Sequence, residues 1–77
     1  MLDKKKYFEI RAAYKYKDTA THKFVTNTKI YKFVGMSISE AFDEVHILTR
    51  QDFGNLAFYS YVGAALIKED EVYILKH

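Results

Sequence analysis

Apolar and polar residues alternate along the first third of the chain. Phe8, Ile10, Ala12, Tyr14 and Tyr16 fall at every second position, with Tyr7, Glu9, Arg11, Ala13, Lys15 and Lys17 between them. Successive side chains of a strand point to opposite faces, so a period of two predicts a strand from Tyr7 to Lys17 with the first set buried. It also sorts the run "YKYK": the tyrosines go inward and the lysines outward. The segment Lys23 to Val34 is again rich in strand formers, and "DTATH" between the two supplies residues compatible with a turn. In this second strand the set Phe24, Thr26, Thr28, Ile30 and Val34 buries few charges and is expected inward, with Lys32 escaping by extending its stem. Val25, Asn27, Lys29, Tyr31 and Phe33 are then outward.

Gly35 breaks the alternation, and the period changes. Ser37 stands three residues before Glu40, the spacing of a capping box in which the serine oxygen accepts an amide hydrogen bond of the first turn. A helix is predicted from about Ile38, with Ile38, Ala41, Phe42, Val45 and Leu48 on one stripe and Thr49 beside them. Gly54 is its expected stop, in the left-handed conformation that ends many helices. The aromatic and β-branched residues of "NLAFYSYVGAALI" predict a third strand over residues 55–67, with a bulge near Gly63. "KEDE" reads as a charged turn leading into a fourth strand, "VYIL". The expected fold is α+β, in the order ββαββ: a mostly antiparallel four-stranded sheet with one helix packed on one face.

Composition bounds this picture. Seventy-seven residues with no proline and no internal repeat make a single domain, 1–77, of which residues 1–5 are expected as a flexible basic tail. The absence of cysteine removes disulfides and thiolate metal sites. With no apolar run long enough to cross a bilayer, the expected location is cytoplasmic and no membrane partner is expected. Charge is divided along the chain. Residues 1–36 hold nine Lys and Arg against three Asp and Glu, and the remainder holds three against seven. The division can steer a partner or reflect complementarity inside the molecule.

Four strands present two faces and one helix covers one of them. The uncovered face is expected to show some selection of Tyr7, Tyr31, Phe33, Tyr59 and Tyr61, residue types enriched at interfaces, with cations around them. On the helix, Ile47 falls opposite the apolar stripe among carboxylates that include Glu40 and Glu44, an arrangement suited to anchoring a protein partner.

Catalytic signals are weak. His22 falls in a turn, His77 is terminal, and His46 lies one turn from Asp43 without a third ligand, so neither a metal site nor a cofactor is expected. The three glycines stand singly, and the paired carboxylates Asp43-Glu44 and Glu69-Asp70-Glu71 sit where water keeps them ordinary. The resulting expectation is a non-enzymatic protein-interaction module, homodimeric or bound to another protein. In composition the chain resembles the small cysteine-free, lysine- and tyrosine-rich accessory proteins and host-factor inhibitors of bacteriophages and other mobile elements, and that resemblance implies a host protein as target. The alternative is nucleic-acid binding through the N-terminal hairpin, with Lys4, Lys5, Lys6, Arg11, Lys15, Lys17 and Lys29 on phosphates and Tyr7 or Tyr31 stacking on bases.

Overall fold

The computed structural model describes residues 1–75; His77 lies outside them. Its elements are β1 (Leu2–Asp18), β2 (Lys23–Val34), α1 (Ile38–Phe53) and β3 (Ser60–Leu75). They form a three-stranded antiparallel sheet in the order β2-β1-β3, with α1 on one face. Among the described residues there is no separate fourth strand: "VYIL" is the end of β3, and the ββαββ order is corrected to ββαβ. Two local readings account for the difference. "NLAFY" is the loop between α1 and β3, and "KEDE" is no turn: Lys68–Glu71 continue straight through β3.

The charges in "KEDE" misled because their partners lie far away in sequence. Along the β1–β3 register, Lys6 stands opposite Glu71, Phe8 opposite Glu69 and Glu9 opposite Lys68. Lys4 reaches Glu71 at 2.9 Å, and Lys6 reaches Glu69 at 3.6 Å and Glu71 at 3.9 Å. Each pair is solvated and contributes little stability by itself. Together they favour one register: a one-residue slip in one direction would set Glu9 opposite Glu69, and a slip either way would turn the side chains of β3 to the wrong face. The residues expected as a basic tail are therefore strand: Leu2–Lys6 run beside Glu71–Leu75. The register shifts between Ala13 and Tyr14, where Gly63 and Tyr61 are the successive partners, so a bulge does lie beside Gly63.

β1 behaves as its alternation predicts. Phe8, Ile10, Ala12 and Tyr14 are buried beneath the helix. β2 reverses its expected sorting. Ile10 pairs with Tyr31 and Phe8 with Phe33, and residues directly opposite in an antiparallel pair share a face. Tyr31 and Phe33 are consequently 9% and 7% exposed, whereas Ile30 and Val34 are each 44% exposed on the other side. The sorting by charge failed at Lys29, which shares the inner face. Its stem runs over the rings of Tyr31 and Phe53, 5.1 and 5.8 Å from its ammonium, and the charge emerges at the sheet margin to meet Asp52 at 3.1 Å. A snorkelling lysine carries no burial penalty for its charge, so it places no veto on that face.

The helix begins as expected. Ser37 is the N-cap; its Oγ accepts from the Glu40 amide at 3.1 Å and donates to the Glu40 carboxylate at 3.0 Å. Ser37→Ala should lower stability by about 1 kcal/mol, measured as a shift in the urea midpoint at constant slope. Ala41, Val45 and Thr49 form the fully buried line against the sheet, and Thr49 gives its hydroxyl proton to the Val45 carbonyl at 2.6 Å. The helix stops at Gly54, but in the right-handed conformation (φ −62°), which corrects the expected left-handed cap. The need for glycine there is close approach: a Cβ would press into the backbone carbonyl oxygen of Arg50, which accepts the Gly54 amide at 2.8 Å.

The core is small for the sheet it serves. At 1.5 Å per residue, α1 is about 24 Å long, against a molecule extending 55 Å along its major axis. Eight buried apolar residues stand against fifteen large apolar residues left exposed among those described. Much of the sheet surface is uncovered.

Candidate functional site

The face of the sheet away from α1 follows from the register. β1 contributes Tyr7, Glu9, Arg11, Ala13, Lys15 and Lys17; β2 contributes Phe24, Thr26, Thr28, Ile30, Lys32 and Val34; β3 contributes Lys68, Ala65 and Gly63 opposite Glu9, Arg11 and Ala13. From Glu9 to the hairpin end this surface holds five cations, Arg11, Lys15, Lys17, Lys32 and Lys68, against the single carboxylate of Glu9. The Glu9 carboxylate accepts the Tyr7 phenol proton at 2.6 Å, and Lys68 lies 6.0 Å from the centre of the Tyr7 ring. None of Arg11, Lys15, Lys17 or Lys32 takes part in an ion pair among the described residues.

At the hairpin end two phenylalanines stand in water. Phe24 is 55% and Phe58 71% exposed, and their rings meet edge to face at 6.2 Å. The Lys15 ammonium lies 5.0 Å from the centre of the Phe24 ring, and that of Lys17 lies 5.5 Å from the centre of Phe58. Phe58 is held out by strained backbone, since its φ of 54° is rare for a bulky side chain. The Lys17 amide donates to the Ala57 carbonyl at 2.8 Å and ties that loop to the end of β1. The sequence reading placed Phe24 inside and Phe58 within a strand expected over residues 55–67, so it missed both. A positive φ at Phe58 has no signature in a single sequence.

The residues expected to form one protein interface are dispersed. Tyr31 and Phe33 are core, Tyr7 lies on the uncovered face, Tyr59 and Tyr61 are half-buried on the helix side, and Ile47 is exposed on the back of α1. Glu40 is engaged at the N-cap, and Glu44 lies half-buried on the helix. The alternative basic set is also divided. Lys4 and Lys6 pair with carboxylates of β3, Lys5 pairs with Asp3 at 3.2 Å, and Lys29 pairs with Asp52. Arg11, Lys15 and Lys17 remain together on the uncovered face.

The helix side carries the buried polar chemistry. Tyr31 donates to Asp52 at 2.6 Å. Burial first, and that hydrogen bond second, push the Tyr31 phenol up to about 12, while the same bond and Lys29 hold the Asp52 carboxyl below its usual value. Tyr14 stacks on Phe53 with ring centres 4.0 Å apart, and burial raises its phenol too. An open groove of about 470 Å³ is lined by His46, Arg50, Leu56, Tyr59 and Tyr61, among others; the His46 ring lies flat on Tyr61 at 4.2 Å. No three His, Cys, Asp or Glu side chains come together as a metal-binding group among the described residues. Among the described residues no helix is long and apolar enough to cross a membrane.

Comparison with known proteins found no matching family model, curated protein or solved structure.

Proposed function

We propose that the chain is a non-enzymatic protein-interaction module whose partner is a second copy of itself, joined edge to edge through β3. The observation that carries this reading is the outer edge of β3: sixteen residues long, last in the sheet order, and with no strand beyond it among the described residues. Unpaired edges of this length are templates for another strand. Beyond Val34, moreover, only β1 and β3 continue, as a two-stranded ribbon of Leu2–Lys6 with Glu71–Leu75. Such ribbons are marginal in water without a third strand or a packed face.

Charge selects among the ways two copies can meet. Face-to-face association would oppose two cationic surfaces and is disfavoured. Antiparallel pairing of β3 with itself about Leu66 sets Glu69 opposite Gly63, Asp70 opposite Val62 and Glu71 opposite Tyr61, so no carboxylate meets another. It also covers Leu66, Ile67 and Val62, which are exposed in the single chain. Glu69 and Glu71 of β3 are occupied by Lys4 and Lys6 of β1, which suits an interaction role better than acid-base catalysis.

Light scattering on a sizing column tests the proposal. A dimer is expected for the native chain, and a monomer for Leu66→Lys, which puts two ammonium groups opposite each other on the axis. Ile30→Lys, on the opposite edge strand, should remain dimeric. Circular dichroism checks that both variants fold. A native chain that is monomeric at every concentration, or dissociation by Ile30→Lys alone, would overturn the proposal.

A further inference from the structure

We infer that the hairpin end of the uncovered face is a binding site for single-stranded nucleic acid, in which Phe24 and Phe58 stack on bases and Arg11, Lys15 and Lys17 contact phosphates. The inference stands independently of the proposed dimer, because the site is complete within one chain.

Three observations converge. Exposed phenylalanines are ordinarily scattered singly, but here two are held against each other, each with an ammonium group within reach of its ring. Ring and cation on the same wet face are the two components of a single-strand platform: the ring offers an apolar plane to any base, and the cation meets the backbone that follows it. "YKYK" taken alone lacks this combination, since Tyr14 is buried behind the strand. Phenylalanines from β2 and from the loop before β3 supply the rings that the tyrosines cannot.

The second observation is charge. The cations at this end make no ion pairs among the described residues, whereas Lys4, Lys5, Lys6 and Lys29 all do. Cations left without carboxylates on the stretch from Arg11 to the hairpin end, where Glu9 at its margin is the nearest acidic residue on that face, fit a polyanion. The third is strain. A non-glycine residue at φ 54° is disfavoured, and at Phe58 that conformation accompanies a ring standing 71% exposed in water. Strain that keeps an apolar ring wet does nothing for the core, and backbone outliers of this kind cluster at binding sites. The face is open and shallow, which suits an unpaired strand whose bases are free to stack and does not form the projecting element that reads a duplex groove.

The test is fluorescence anisotropy with a labelled oligothymidylate of about 12 nucleotides. Binding should weaken with salt, with a slope of log K against log salt of about −2, as expected for three phosphate contacts on a single strand. Phe24→Ala and Phe58→Ala should each weaken binding about tenfold while leaving the circular dichroism unchanged, because both rings are already exposed. Lys15→Gln with Lys17→Gln should flatten the salt slope; Lys4→Gln with Lys6→Gln should not, which separates this site from general basicity. Absence of binding at low salt overturns the inference. So does equal binding by the phenylalanine variants, which would mean phosphate attraction without stacking. Equal competition by polyglutamate also overturns it and reassigns the surface to an acidic protein.

Discussion

Phe33→Ala is expected to lower the free energy of unfolding by about 3–4 kcal/mol, while Ile30→Ala, on the same strand, should cost less than about 1 kcal/mol. Phe33 is 7% exposed and belongs to the cluster with Phe8, Ile10, Ala41 and Val45, so truncation removes apolar burial and leaves a cavity beneath the helix. Ile30 is 44% exposed on the other face, where truncation leaves no cavity and loses only part of a side chain from water-accessible surface. A chain of this size has a total stability of roughly 4–12 kcal/mol, so the first variant removes a large share of it and the second does not. Urea unfolding followed by circular dichroism at neutral pH decides the matter. The opposite order of the two costs would restore the face sorting suggested by sequence and sink the pairing of Ile10 with Tyr31 and Phe8 with Phe33.

The second large effect is alkaline unfolding. Tyr31 has its phenol raised from 10.0 to about 12 by burial and by its hydrogen bond to Asp52. Because the folded value lies above the unfolded one, the stabilisation is fully present below pH 10 and is lost as pH rises from there towards about 12. At 1.36 kcal/mol per unit, Tyr31 alone accounts for about 2–3 kcal/mol across that window. Burial shifts Tyr14, Tyr59 and Tyr61 in the same direction, which steepens the fall. Denaturation midpoints should therefore drop sharply above pH 10 as buried phenols are forced to ionise. Tyr31→Phe should be less stable at neutral pH by about 1 kcal/mol, through loss of the bond to Asp52, yet should show a shallower alkaline slope. An unchanged slope in that variant would show that Tyr31 is not the group that titrates with unfolding.

The buried face of β1 was legible because Phe8, Ile10, Ala12 and Tyr14 repeat at the pleat period without interruption. In β2 the set with Phe24, Ile30 and Val34 was expected inward because it buries few charges, and a Lys29 whose stem covers rings while its ammonium reaches Asp52 removes that objection to the other set. The candidate site was legible only in part. Arg11, Lys15 and Lys17 were named from alternation, but Phe24 was sorted inward and Phe58 was given to a strand that is in fact a loop.

The sequence by itself determined the local events: the hairpin of β1 and β2, the start of the helix at Ser37 and Ile38, its buried line through Ala41, Val45 and Thr49, and its end at Gly54. These rest on hydrogen bonds and side-chain periods that act within a turn or two of the chain, so a short window contains their cause. Only the tertiary structure decided that "KEDE" is strand, that Tyr31 and Phe33 are core, and that Phe24 and Phe58 stand together in water. Those outcomes depend on partners distant in sequence, the lysines of β1 for Glu69 and Glu71, Ile10 and Phe8 for β2, and the end of β1 for the loop at Ala57. No local preference encodes a contact whose other half lies across the sheet.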